Sequence, residues 1–218
     1  LEPYNSKLWQ GKGKVKLAQN EYDCAIKCFN KSLTYDANNV NSLHDLGYTL
    51  RRIGNNPLSA IEHFKRAIEL KPDYAEAYIN LSFGYLNSGQ LAEGFALRDW
   101  RWKTGNRQNL KLNYKKPQWD GSQPLKGKTL LVWGEQGPGD MVIWSSALKH
   151  IEEKGCKIIL ECPEKLVELF SKSFPSIEVK AQSQKPNLSR KDIDFHVPME
   201  TMYTASYLET YTNKSSQP

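Results

Sequence analysis

No stretch of the 218-residue sequence reaches the roughly 18 consecutive apolar residues that a membrane-spanning helix requires. Nor does the N-terminus show a basic segment followed by an apolar core of the kind that directs secretion. The expectation is a cytoplasmic protein with no membrane span. Cysteine is scarce: Cys24, Cys28, Cys156 and Cys162 form no CxxC spacing and do not cluster with the four histidines. That argues against zinc and fits a reducing compartment, so no metal is expected. Cys24 and Cys28, one helical turn apart, read as two small buried side chains. At 39% hydrophobic and 25% charged, the composition excludes a fibre or a solvated tail.

Acidic residues are scarce in one place. Between Arg98 and Lys128 stand nine Lys or Arg and only two Asp, interleaved with Trp100, Trp102, Tyr114 and Trp119. Cations with interspersed rings can grip nucleic acid, but no nucleic-acid motif accompanies them. The favoured reading is a basic linker over 103–127 whose tryptophans anchor it to its neighbours, and a nucleic-acid partner is not expected.

What is present is repetition. "AIKCFNKSLTYDANN" (25–39) and "AIEHFKRAIELKPDY" (60–74) superpose, and the opening "LEPYN" (1–5) falls on their closing residues. Ala37 and Pro72 lie 35 residues apart, and Pro3 lies 34 before Ala37. Leu43, Leu46, Gly47 and Leu50 match Tyr78, Leu81, Ser82 and Tyr85. Ala25, Ile26 and Phe29 match Ala60, Ile61 and Phe64. A period of this length belongs to a stacked helical hairpin. Small Gly47, Ala60 and Ala67 allow two helices to approach, large Leu46, Phe64 and Tyr78 fill the space, and Pro72 ends the second helix.

These residues resemble the tetratricopeptide repeat over 1–102. About three units are expected, the first degenerate and loosely packed because Lys12 and Lys16 stand where Leu and Tyr are usual. "LEPYN" reads as the last turn of an earlier repeat of a longer chain. In the third unit "LAEGFALRDWRW" reads as a capping helix turning into the next domain. The resemblance implies a groove for a protein or peptide, lined by Asp45, Tyr48, Arg52, Asn80, Phe83 and Asn87, with packing or homo-oligomerisation as the plain alternative. In O-linked N-acetylglucosamine transferases, which carry similar repeats, asparagines along this face hold peptide backbone; Asn80 matches that place, Asp45 nearly so, and Gly11 does not.

After the basic stretch the pattern changes. "KTLLVW" (128–133), "KIILEC" (157–162), "IEVK" (177–180) and "IDFHV" (193–197) read as strands, with helical patterns at 140–154 and 163–173 between the first three. Strand and helix alternating imply a parallel sheet with covering helices. The turn "GEQGPGD" (134–140) closes the first strand, where such sheets bind ligands. It is neither the P-loop nor the dinucleotide fingerprint, so its glycines and following helix start give only a weak anion signal. Asp140 has two readings, helix N-cap or proton acceptor at the sheet's ligand edge.

Trp100–Trp102, Pro117, Trp119–Ser122, Leu125–Lys128 and Gly134–Asp140, followed by "ILECPEKLVELF" and "DFHVPMETM", resemble bacterial proteins that fuse tetratricopeptide repeats to a glycosyltransferase-like domain. The resemblance implies an α region of helical hairpins followed by an α/β region over 128–218, a Rossmann-like N-terminal half of a GT-B fold related to the heptosyltransferases. It implies Asp140 as general base for a sugar acceptor. Glu135 and Gln136 would contact sugar hydroxyls, and Gly137 and Gly139 would admit a ligand to the backbone. It also implies a nucleotide-sugar donor for the parent enzyme, held by a second lobe beyond residue 218, so that no cofactor is expected here and this chain alone would be inactive. The alternative is a non-catalytic tetratricopeptide scaffold.

Overall fold

The computed structural model describes residues 5–54, 57–105 and 111–215. The first four residues of "LEPYN", and Arg107 of the basic stretch, lie outside the described residues. The chain divides into two compact units, Leu1–Thr104 and Gly105–Pro218.

The first unit is helical: α1 (Ser6–Ala18), α2 (Tyr22–Tyr35), α3 (Val40–Ile53), α4 (Pro57–Leu70), α5 (Ala75–Asn87), α6 (Leu91–Ala96) and a 3₁₀ turn over Arg98–Lys103. Helix starts are set by short polar side chains. Asn5 accepts from the amides of Lys7 and Leu8, and Asn39 from Ser42, satisfying donors that have no partner within the helix. Gly54 closes α3 with φ of 77°, a left-handed conformation that glycine adopts without steric cost.

The first two hairpins each close on a ring. A Cβ on Gly47 would lie 2.9 Å from the Phe64 ring, and one on Gly13 would lie 2.4 Å from that of Phe29. The expectation that α1 packs loosely is therefore corrected. Lys12 points to solvent and Lys16 pairs with Glu21 at 2.9 Å, yet the contact at Gly13 brings α1 tight against α2. The pair Cys24 and Cys28 is also corrected: Cys28 is buried, Cys24 exposed.

In the third unit the expected capping helix is broken. α6 has six residues, Gly94 is pressed on Leu86 and its carbonyl accepts from Ser82 Oγ at 2.8 Å. The 3₁₀ turn that follows buries Arg101, paired with Asp99 at 2.6 Å, and lays Trp100 flat on Tyr78 with centroids 3.7 Å apart.

The second unit holds a small parallel sheet. Its elements are β1 (Thr129–Trp133), α7 (Pro138–Trp144), a 3₁₀ turn (Ser145–Ala147), α8 (Leu148–Glu152), β2 (Lys157–Cys162), α9 (Glu164–Ser173), β3 (Glu178–Ala181), β4 (Phe195–Pro198) and α10 (Met199–Ser215). Strand order is β3-β2-β1-β4, and every pair is parallel. Alternation along the strands separates two faces. Leu130, Val132, Ile158, Leu160 and Val197 pack with Met141, Leu148, Ile151, Phe170 and Met202 from the helices. On the opposite face Tyr114 lies against Trp133 and His196, and Arg190 pairs with Glu161 at 2.6 Å. That face is thus covered by irregular chain.

Part of the stretch expected as a linker belongs to this unit. Tyr114, Trp119 and Leu125 are buried. Gln118 forms a parallel bridge beside His196, with the His196 amide donating to Pro117 O and the Trp119 amide to His196 O. Among the described residues no helix is long and apolar enough to cross a membrane.

Candidate functional site

In the first unit the first helices of successive hairpins touch through polar side chains. Gln10 Nε2 on α1 donates to Asp45 Oδ2 on α3 at 2.8 Å, and Asp45 Oδ1 lies 3.3 Å from His44 Nδ1. His44 Nε2 lies 3.0 Å from Asn80 Nδ2 on α5, and Asn80 Oδ1 accepts from Arg51 at 3.3 Å. One tautomer satisfies every contact: Nδ1–H donates to Asp45 while Nε2 accepts from the Asn80 amide. The chain Gln10–Asp45–His44–Asn80–Arg51 therefore spans three helices.

Aromatic rings flank it. The Arg51 guanidinium lies 5.4 Å from the Tyr48 ring centre and 5.3 Å from that of Phe83, and Arg98 lies 4.7 Å from Phe83. Arg52 reaches the hydroxyls of Tyr48 and Tyr22. Burial holds the Arg51 guanidinium below its ordinary value, with Arg52 adding to the effect. Of the residues expected to line a groove, Asp45, Tyr48, Arg52, Asn80 and Phe83 thus gather around one network. Asn87, the last residue of α5, is exposed and takes no part in it. Sequence reasoning missed Gln10, His44 and Arg51. A signal existed: Gln10 and His44 are 34 residues apart, as Asp45 and Asn80 are 35, so they hold equivalent repeat positions.

In the second unit the chain steps from β1 out to β3 and returns across β1 to β4. The reversal places a switch point at the carboxyl ends of β1 and β4, the crevice in which open parallel sheets hold ligands. The turn 134–140 lies there. Glu135 is stapled across the gap, its two carboxylate oxygens accepting from the amides of Met199 (3.0 Å) and Glu200 (3.1 Å) at the start of α10. Gln136 donates to the buried carboxylate of Glu200, and Gln182 donates to Gly134 O at 2.9 Å. A Cβ on Gly134 would lie 2.5 Å from Met141 Sδ. Glu200 and Gln182 were not foreseen, because no local spacing links them to the turn.

The cap reading of Asp140 is corrected. Gly137 is the N-cap of α7, Pro138 opens the helix, and Asp140 sits in its first turn. Asp140 is exposed, and among the described residues its carboxylate makes no hydrogen bond or ion pair. Gly137 and Gly139 are also exposed. A Cβ at Gly137 would lie 3.3 Å from Asp140 Oδ2, whereas one at Gly139 would meet nothing within 4 Å. Packing accounts for Gly134, and nothing in the described fold requires glycine at 139.

Residues 6–39 match the family model of the tetratricopeptide repeat, and the first unit is an array of such repeats. Protein FlbA of Caulobacter vibrioides is 25% identical, over 62% of this chain and 29% of its own length, so the chain spans less than a third of that relative. Among solved structures, the second TPR of Spaghetti (RPAP3) bound to HSP90 peptide SRMEEVD is 18% identical, with a TM-score of 0.43, over 44% of this chain and 88% of that one. MamA is 19% identical, with a TM-score of 0.43, over 46% and 58%.

Proposed function

We propose that the repeats form a protein-interaction module whose first-helix face holds an extended peptide segment. The observation that carries this reading is the polar network from Gln10 to Arg51. Side chains that already exchange hydrogen bonds in a fixed row can pair with peptide amides at little ordering cost, and the Tyr48 and Phe83 rings beside them offer apolar contact. The test is a selection of random peptides displayed against the 218-residue chain. Enriched peptides should lose binding in an Asn80→Ala variant and keep it in Asp140→Asn. Peptides indifferent to Asn80 would overturn the assignment.

A specific observation favours an added role for the second unit, as the acceptor lobe of a sugar-transfer enzyme. Asp140 is exposed, without a partner among the described residues, and at the switch point, beside a glycine that the described fold does not need. In that reading an acceptor hydroxyl gives its proton to Asp140 as its oxygen attacks the anomeric carbon of a nucleotide-sugar donor, and the bond from that carbon to the phosphate oxygen breaks so that the nucleotide leaves with the electron pair. The Met199 and Glu200 amides, where a phosphate could otherwise sit, are already taken by Glu135. This accords with a nucleotide-sugar donor held elsewhere in the parent enzyme. Asp140→Asn in the parent should lower transfer by about a hundredfold or more without loss of stability. Undiminished turnover would leave the scaffold reading in place.

A further inference from the structure

Resting on the groove reading above, we infer that the segment bound there is acidic, and that Arg51 and Arg52 receive its carboxylates. Around the network three guanidinium groups, those of Arg51, Arg52 and Arg98, converge on the rings of Tyr48 and Phe83. The carboxylate nearest to them in the row, Asp45, is already engaged by Gln10 and His44. Arg51 is half-buried, and among the described residues its Nε has no hydrogen-bond partner while its head group, set between the Tyr48 and Phe83 rings, donates to the neutral oxygen of Asn80. Arg52 is exposed, and among the described residues it meets the hydroxyls of Tyr48 and Tyr22 and lies over the Tyr22 ring.

Among the described residues neither guanidinium is paired with a carboxylate. A partly desolvated cation without a counter-charge is costly, and a planar guanidinium fixed on aromatic faces matches the two oxygens of a carboxylate. The other cations that meet a carboxylate across this unit do so elsewhere, as Lys16 with Glu21, Arg66 with Glu69 and Arg101 with Asp99. The uncompensated positive charge is therefore local to the row that the peptide would cover. A peptide is favoured over nucleic acid because the row alternates amide, imidazole and carboxylate groups, which pair with a peptide backbone, and Asp45 would repel phosphates.

The experiment is fluorescence anisotropy with the full chain and three labelled peptides of one length, built from Gly and Ser with Glu, Gln or Lys at alternate positions. The Glu peptide should bind saturably, and more weakly as salt rises from about 0.05 to 0.3 M. Arg51→Gln should weaken it about tenfold and Arg51→Gln with Arg52→Gln about a hundredfold. Lys126→Gln and Lys128→Gln in the second unit should leave it unchanged. Circular dichroism checks folding, and the exposed Arg52→Gln alone, expected at about fivefold, serves if Arg51 variants do not fold. Equal binding of the Gln peptide, lost on Phe83→Ala, would sink the acidic class and keep the groove. Glu-peptide binding that ignores Arg52 and Phe83 but needs Lys126 and Lys128, or tighter binding of single-stranded RNA than of the Glu peptide, would sink both.

Discussion

The two units hold themselves together over different distances along the chain. In the repeats, the polar contacts step about one period along the chain, from one repeat position to the place just beyond its equivalent in the next hairpin: Gln10 to Asp45 and His44 to Asn80, separations of 35 and 36 residues. In the sheet unit the defining bonds have no period. Trp133 reaches His196, Gln136 reaches Glu200 and Glu135 reaches Met199 and Glu200, all 63 to 65 residues away. A stack of repeats tolerates damage unit by unit, whereas the sheet unit depends on its last strand and helix for the shape of its first turn.

The largest test of this contrast deletes one ring from each unit. Phe64 and Trp119 are both fully buried, and replacing either with Ala is expected to cost about 3–5 kcal/mol. In urea unfolding, Phe64→Ala should leave the Trp119 environment native, while Trp119→Ala should spare the helical signal of the repeats. A single shared transition in both variants would break the comparison.

Acid should distinguish the units next. Burial, with Lys111 nearby, holds His196 down to about 4. Its Nδ1 accepts from Trp133 Nε1, which can only donate, at 3.2 Å, so protonation there breaks the bond. The folded pKa lies below the unfolded value near 6.5, so the unfolded chain binds the extra proton between the two. Stability of the sheet unit is therefore full above about pH 6.5 and falls as pH drops toward 4, by roughly 3 kcal/mol in all. Denaturation midpoints measured from pH 7 to 4 should show this slope, and His196→Gln should flatten it.

Two smaller changes sharpen the contrast further. Glu135→Ala removes two charge-assisted bonds to the start of α10 and should cost about 1–2 kcal/mol, read by thermal denaturation, with Glu135→Gln milder. Gly47→Ala, pressed on Phe64, should cost about 1–3 kcal/mol. Gly139→Ala, with open space around it, should change stability by less than about 0.5 kcal/mol. If Gly139→Ala nevertheless weakens sugar binding measured by calorimetry, the glycine is there for a ligand.

The repeats were legible because their signal is said more than once: Gly47 with Phe64, Asp45 with Asn80. Even there the tight first hairpin was misjudged, since the eye falls on Lys12 and Lys16 and passes over Gly13. The parallel strands were legible from β-rich runs, with ends shifted by a residue or two. The site at the turn was legible only as a place. That Glu135 caps the start of α10 depends on the backbone path out of β4, which no spacing near residue 135 encodes, and that Asp140 stands in the first turn of α7 follows from Gly137 taking the N-cap. The burial of Tyr114 and Trp119 was masked by the lysines around them, since a run of charge reads as solvent-facing whether or not its aromatics turn inward.

The bridge between Gln118 and His196 has a bearing on how the protein is made. Residues 117–119 leave the ribosome long before the strand they lie beside, so Trp119 must wait for almost the whole sheet unit to be synthesised before it finds shelter. Until then the tryptophan stays exposed to solvent. Shelter for Trp119 therefore comes only after His196 has been made.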